Sequence, residues 1–114
     1  MWVLYGISNC DSVKKARAWL QGRNLDYRFH DYRKDGLDAA LLQRFIDAHG
    51  LQPLLNRRGA TWRQLSAQCQ AALQAGDVSN LLQAPTLLKR PILDADGRII
   101  VGFSEAEYAG LTHE

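Results

Sequence analysis

Cys10 lies between an apolar run, Trp2-Val3-Leu4-Tyr5-Gly6, and a segment rich in Lys and Arg that opens at Asp11-Ser12. A cysteine placed where a helix begins meets the partial positive charge of unpaired backbone N–H groups, which favours thiolate over thiol. The thiolate is the attacking form, so this spacing points to nucleophilic thiol chemistry, with Cys10 as the candidate. Asp11 acts in the opposite sense if its carboxylate stays beside the sulfur, unless it caps the free N–H groups instead. The third residue after Cys10 is Val13, which excludes a Cys-x-x-Cys pair and leaves the second thiol to come from elsewhere. Cys69, among Ala67, Ala71 and Leu73, reads as a structural residue, with a resolving role as the alternative.

The elements that must position Cys10 follow from periodicity. Trp2 to Gly6 reads as a strand. Val13, Ala16 and Leu20 share one helical face, which predicts a helix from about Cys10 to Gln21 with Gly22 as its stop. Leu25, Tyr27 and Phe29 alternate with Asp26, Arg28 and His30, the period of a half-buried strand, so the three elements suggest a parallel β-α-β unit. Asp38 can cap a helix whose Leu41, Leu42, Phe45 and Ile46 form a stripe ending at His49-Gly50. Thr61 to Gln64 has capping-box spacing for a short helix continuing through Leu73, Gly76 breaks it, and Ser79 to Gln83 forms another turn. Ile92-Leu93 and Ile99-Ile100-Val101 then flank Asp94-Ala95-Asp96-Gly97, the chemistry of a tight hairpin. Ser104 opens a terminal helix by accepting from the Glu107 N–H, with Tyr108 and Leu111 inward. The order β, α, β, helices, β, β, α is that of an α/β protein.

Composition limits what this scaffold can do. The 114 residues suit one domain, 1–114, and their 46% hydrophobic and 23% charged content is that of an ordinary globular chain. Fourteen basic and 12 acidic side chains leave a net charge of +2, too weak a field to gather nucleic acid or membrane. No apolar run is long enough to span a bilayer, and Met1 to Ile7 is too short for a signal-peptide core. A cytoplasmic monomer with no nucleic-acid or membrane partner is expected. The two cysteines form no disulfide scaffold, and their spacing with His30, His49 and His113 matches no zinc pattern, so no metal is expected. Trp2, Trp19 and Trp62 are too widely spread for a stacking platform and read as core or groove walls.

Four segments carry a resemblance to a known family: Tyr5-Gly6-Ile7-Ser8-Asn9-Cys10, Leu54-Leu55-Asn56-Arg57-Arg58-Gly59, Lys89-Arg90-Pro91-Ile92 and Gly102-Phe103-Ser104-Glu105. In order and spacing the chain resembles the arsenate reductase (ArsC)/Spx family. Asp11 to Ala16 and Arg58 to Arg63 are most similar to its small YffB-type proteins. The resemblance implies a thioredoxin-like fold with a mixed four-stranded sheet and a helical insertion at about 38–85. It also implies a cis bond at Pro91, with Arg90 projecting beside Cys10 to stabilise the thiolate and bind an anionic group.

The implied function is a glutathione-dependent thiol/disulfide reductase that works through a mixed disulfide on Cys10. Glutathione would be a co-substrate rather than a tightly bound cofactor, and the partner would be a disulfide or glutathionylated substrate. Asn9, Arg57, Arg58, Pro91 and Ser104 are the residues that would bind substrate or glutathione. A solvated charge is the alternative role for Arg57, Arg58 and Arg90, and a helix cap for Ser104. Arsenate reduction with glutathione and glutaredoxin is the nearest alternative. Aligned through Leu54-Leu55, the family's anion-binding arginine falls on Asn56, and its last oxyanion arginine falls near Gly102-Phe103, where there is none. A non-enzymatic Spx-like regulator binding RNA polymerase is the third reading. Val13 removes the Cys-x-x-Cys switch of Spx proteins proper.

Overall fold

The computed structural model describes residues 1–111, so His113 lies outside them. Its backbone contacts divide the chain into two units, Met1–Gly36 with the chain from Arg90 onward, and Leu37–Lys89.

The first unit is built on a four-stranded sheet in the order β2-β1-β3-β4, from β1 (Trp2–Gly6), β2 (Tyr27–Asp31), β3 (Ile92–Ala95) and β4 (Arg98–Val101). β1 pairs parallel with β2, with Tyr5 opposite His30 and Gly6 opposite Asp31. It pairs antiparallel with β3, which makes the sheet mixed. The crossover between the parallel strands is α1 (Asp11–Gly22), whose Val13, Ala16 and Leu20 are fully buried and pack with Leu4, Leu93 and Tyr108 in one core. The expected glycine stop differs from what forms. Gly22 is still helical, and the left-handed residue that turns the chain is Asn24, at φ 56°. Asparagine tolerates this region because its short amide can bond locally.

β2 is followed by α2 (Tyr32–Asp35), an element the sequence reading did not anticipate. Asp31 accepts from the Arg33 N–H at 2.8 Å, Asp35 accepts from the Asp31 N–H at 3.0 Å, and Gly36 ends the turn at φ 82°. The β3–β4 hairpin closes through Asp96 and Gly97, both at positive φ (53° and 100°), as a two-residue turn of this type requires. The Asp94 carboxylate accepts from the Gly97 N–H at 2.8 Å and reinforces it. Ser104 caps α7 (Glu105–Gly110) through the expected Glu107 N–H, at 3.3 Å.

The second unit holds α3 (Ala39–His49), capped as expected by Asp38 accepting from Leu41 N–H at 2.8 Å. The expected capping box at Thr61 is not made. α4 (Ala60–Gln64) begins after Gly59 and stops at Leu65, and Ser66 caps a separate α5 (Ala67–Gln74). Thr61 instead hydrogen-bonds the Thr86 hydroxyl at 3.0 Å, a tertiary partner invisible to local spacing. α6 (Ser79–Gln83) completes the helices. Two 3₁₀ turns, Gln52–Leu54 and Pro85–Leu87, lead into an antiparallel bridge between Leu55 and Leu88. No helix among the described residues is long and apolar enough to cross a membrane.

Candidate active site

Gly6 ends β1, and four residues later Cys10 stands as the N-cap of α1 with extended backbone (φ −105°, ψ 128°). Local packing fixes this turn. A Cβ built on Gly6 would approach Val13 Cγ2 to 2.6 Å, so only glycine lets the first turn of α1 lie so close to the strand. The Cys10 carbonyl accepts from the Lys14 N–H at 2.9 Å, while its half-buried thiol makes no cap of the kind a hydroxyl or carboxylate would.

The electrostatics at the sulfur oppose one another. Burial pushes the Cys10 thiol up, and that is the largest single influence. The Val13 N–H, hydrogen bonding from Arg90, the Ser12 N–H and the Arg90 charge together outweigh it and hold the thiol below its ordinary value. The structure therefore brings Arg90 to Cys10, and the Arg90-Pro91 peptide is cis, as the resemblance implied.

Other groups gather at the carboxyl ends of β1 and β2, the edge where open α/β sheets receive ligands. Tyr5, His30 and Tyr32 form an aromatic cluster with ring centroids 4.9 Å (Tyr5–His30), 6.3 Å (Tyr5–Tyr32) and 6.0 Å (His30–Tyr32) apart. Burial, helped by Tyr5 and opposed by the Arg90 charge, pushes the Tyr32 phenol far above its ordinary value, so it stays protonated. Its hydroxyl is buried without a hydrogen-bond partner among the protein's described groups. Asn9 is exposed beside Cys10, and its Oδ1 accepts from Arg33 Nη1 at 3.5 Å. Sequence reasoning missed Tyr5, Tyr32 and Arg33 and assigned His30 nothing. The available signal was Asp31 followed five residues later by Gly36, a cap and a stop directly after a strand.

Arg57 and Arg58 belong to the Leu37–Lys89 unit, where with Asn56 and Lys89 they line a cleft of about 550 Å³. Arg57 bonds the Gln52 side chain and lies 5.8 Å from the Trp62 ring centroid, and the Arg58 carbonyl accepts from Arg63 at 2.7 Å. Cys69 sits in the first turn of α5, its N–H donating to the Ser66 hydroxyl at 3.1 Å. Ser104 is engaged as a cap, on a helix of only six residues. No group of three or more His, Cys, Asp or Glu among the described residues could hold a metal ion.

Residues 5–111 match the ArsC family. The chain belongs to that family. A relative from Haemophilus influenzae is 45% identical over 95% of this chain and 96% of its own length. The solved structure of a YFFB protein superposes with a TM-score of 0.93 at 42% identity, covering 99% of this chain and all of the other. A global transcriptional regulator Spx from Enterococcus faecalis is 30% identical over 94% of this chain and 83% of its own. The mixed sheet and its helices are thus the thioredoxin-like fold of ArsC proteins.

Proposed function

We propose that this ArsC-family chain is a thiol–disulfide reductase that uses Cys10 as its one attacking thiolate and glutathione as the second thiol. One observation carries the reading: Arg90 and the N–H groups of Val13 and Ser12 act together on the Cys10 sulfur and prevail over burial. A structural cysteine has no need of a guanidinium, and the same arrangement lowers the barrier twice in a thiol exchange.

In the first step the Cys10 thiolate attacks the glutathione sulfur of a glutathionylated protein. A new S–S bond forms to Cys10, the old one breaks, and the protein sulfur departs as thiolate and takes a proton from water. In the second step a glutathione thiolate attacks the glutathione sulfur on Cys10, oxidised glutathione forms, and Cys10 leaves as thiolate. The protein sulfur falls from −1 to −2 in oxidation state as the incoming glutathione sulfur rises from −2 to −1, so the substrate disulfide is exchanged for that of oxidised glutathione and Cys10 returns as it began. Arg90 favours Cys10 as attacker in the first step and as leaving group in the second. Val13, fully buried on α1, supports the need for an external thiol, because no partner thiol sits in the turn.

Oxidised glutathione followed by mass spectrometry tests the reading. The adduct is expected on Cys10 and not on Cys69, and equal labelling of both would sink it. Arsenate turnover with glutathione and glutaredoxin, run in parallel, would make arsenate the substrate of the same thiolate. The Spx relative supports a second reading, a regulator that binds RNA polymerase, which a pull-down with the polymerase tests.

A further inference from the structure

The proposed reaction does not use α2, yet several contacts hold this four-residue turn against the edge that carries Cys10. The parallel register sets Gly6 opposite Asp31, so the chain that leaves Gly6 for Cys10 and the chain that leaves Asp31 for Arg33 start side by side. Tyr32 anchors the turn from below, only 3% exposed, with its ring stacked against Tyr5 at an interplanar angle of 18°. His30 closes the far end through a 2.7 Å hydrogen bond between its Nε2 and the Gly36 carbonyl. Arg33 thus leaves a held backbone, and its Nη1 reaches to 3.5 Å from Oδ1 of Asn9, the residue before the nucleophile.

The two acids that frame α2, Asp31 and Asp35, do not pair with the Arg33 guanidinium. Asp31 accepts from the Arg33 backbone N–H and Asp35 from the Asp31 backbone N–H, so both serve to shape α2. Among the described residues Arg33 makes no ion pair, and its contact with Asn9 involves one of its five N–H donors. The remaining donors form a planar fork suited to a carboxylate, on an exposed side chain tied to the Cys10 loop.

We propose that Arg33 is the specificity-determining residue of the Cys10 site, reading a carboxylate on the small thiol that exchanges with Cys10. This rests on the reductase reading, and it adds that the site selects by charge: an acidic thiol such as glutathione is preferred over a neutral one of equal reactivity. Arg90 acts on the sulfur, and Arg33 acts on what the sulfur carries.

The experiment has a binding arm and a kinetic arm. S-methylglutathione, which cannot exchange, is titrated into wild type and Arg33→Gln while the amide signals of Asn9, Cys10 and Arg33 are followed. The signals are expected to move in wild type, with affinity falling about threefold to tenfold in Arg33→Gln, the range for an exposed charge-assisted contact. Affinity should be partly kept in Arg33→Lys and weakened by salt. No movement in wild type, or equal affinity in Arg33→Gln, overturns the inference whatever the chemistry of Cys10. In the kinetic arm, release of a Cys10 mixed disulfide is timed with glutathione and with neutral 2-mercaptoethanol. Arg33→Gln is expected to slow the first by a similar factor and leave the second unchanged. Equal slowing of both marks a purely structural role and overturns it too. Wild-type binding without any exchange would instead defeat the reductase reading and leave the carboxylate site standing.

Discussion

Gly6 and Val13 are in contact across the turn that carries Cys10, so close that a Cβ on Gly6 would stand 2.6 Å from Val13 Cγ2. Val13 is fully buried on the first turn of α1 and cannot yield without moving that turn. Gly6→Ala should therefore cost about 1–3 kcal/mol of stability, as overpacking does, and displace the N–H groups that act on the sulfur. Denaturant melts together with the pH profile of Cys10 alkylation check both effects. A stable Gly6→Ala protein with an unchanged profile would show that the turn has slack.

Arg90→Gln removes a hydrogen bond and a charge from Cys10 while leaving the burial that raises its pKa. The thiol should then titrate at higher pH, and alkylation at neutral pH should slow. The sign for stability follows from the same shift. Because the folded chain releases this proton at lower pH than the unfolded chain, the contribution is fully present above the ordinary thiol value of about 8.5 and is lost as pH falls through the lowered one. Wild type should gain on Cys10→Ser across that window, and the gain should shrink in Arg90→Gln, where only the Val13 and Ser12 N–H groups still oppose burial. Paired unfolding curves at several pH values measure it.

Tyr32→Phe deletes a hydroxyl that is buried without a protein partner. Removing an unsatisfied buried group relieves desolvation, so the variant should be neutral or more stable, by up to about 1–3 kcal/mol. A clear loss in thermal melts would mean that the hydroxyl is satisfied in solution.

Ser104→Ala removes the cap of α7, whose six residues can spare little, although the bond to Glu107 N–H is long at 3.3 Å. A loss of about 1 kcal/mol is expected, or about 5 °C in melting temperature. Labelling of Cys10 by oxidised glutathione should be unaffected. If labelling falls while stability holds, Ser104 binds the ligand rather than the helix.

Much of this fold was legible because it is written in local period. The face of Val13, Ala16 and Leu20, the Asp38 cap and the Asp96-Gly97 turn each specify an element from a few neighbouring residues. The failures were of another kind. Thr61 has the spacing of a cap but spends its hydroxyl on Thr86, twenty-five residues away. α2 is too short to show an apolar stripe, and it exists because Asp31 and Asp35 exchange bonds with the backbone. At the site, Cys10 stood out from its place between a strand and the start of a helix, and Arg90 from the order of motifs that resembles the ArsC family. Tyr32 and Arg33 were not, because only the parallel pairing of β1 with β2 brings their segment alongside the Cys10 loop.

That parallel pairing separates two properties that many sites hold in the same residues. The reactivity of the sulfur is set by the turn after β1 and by Arg90, all tied to the buried face of α1 and the centre of the sheet. On our proposal the choice of thiol is set in α2, just after the edge strand β2, by the exposed side chain of Arg33. Under that proposal, substitutions at position 33 would carry little thermodynamic risk and would retarget the site to a different thiol while the nucleophile stays as reactive as before.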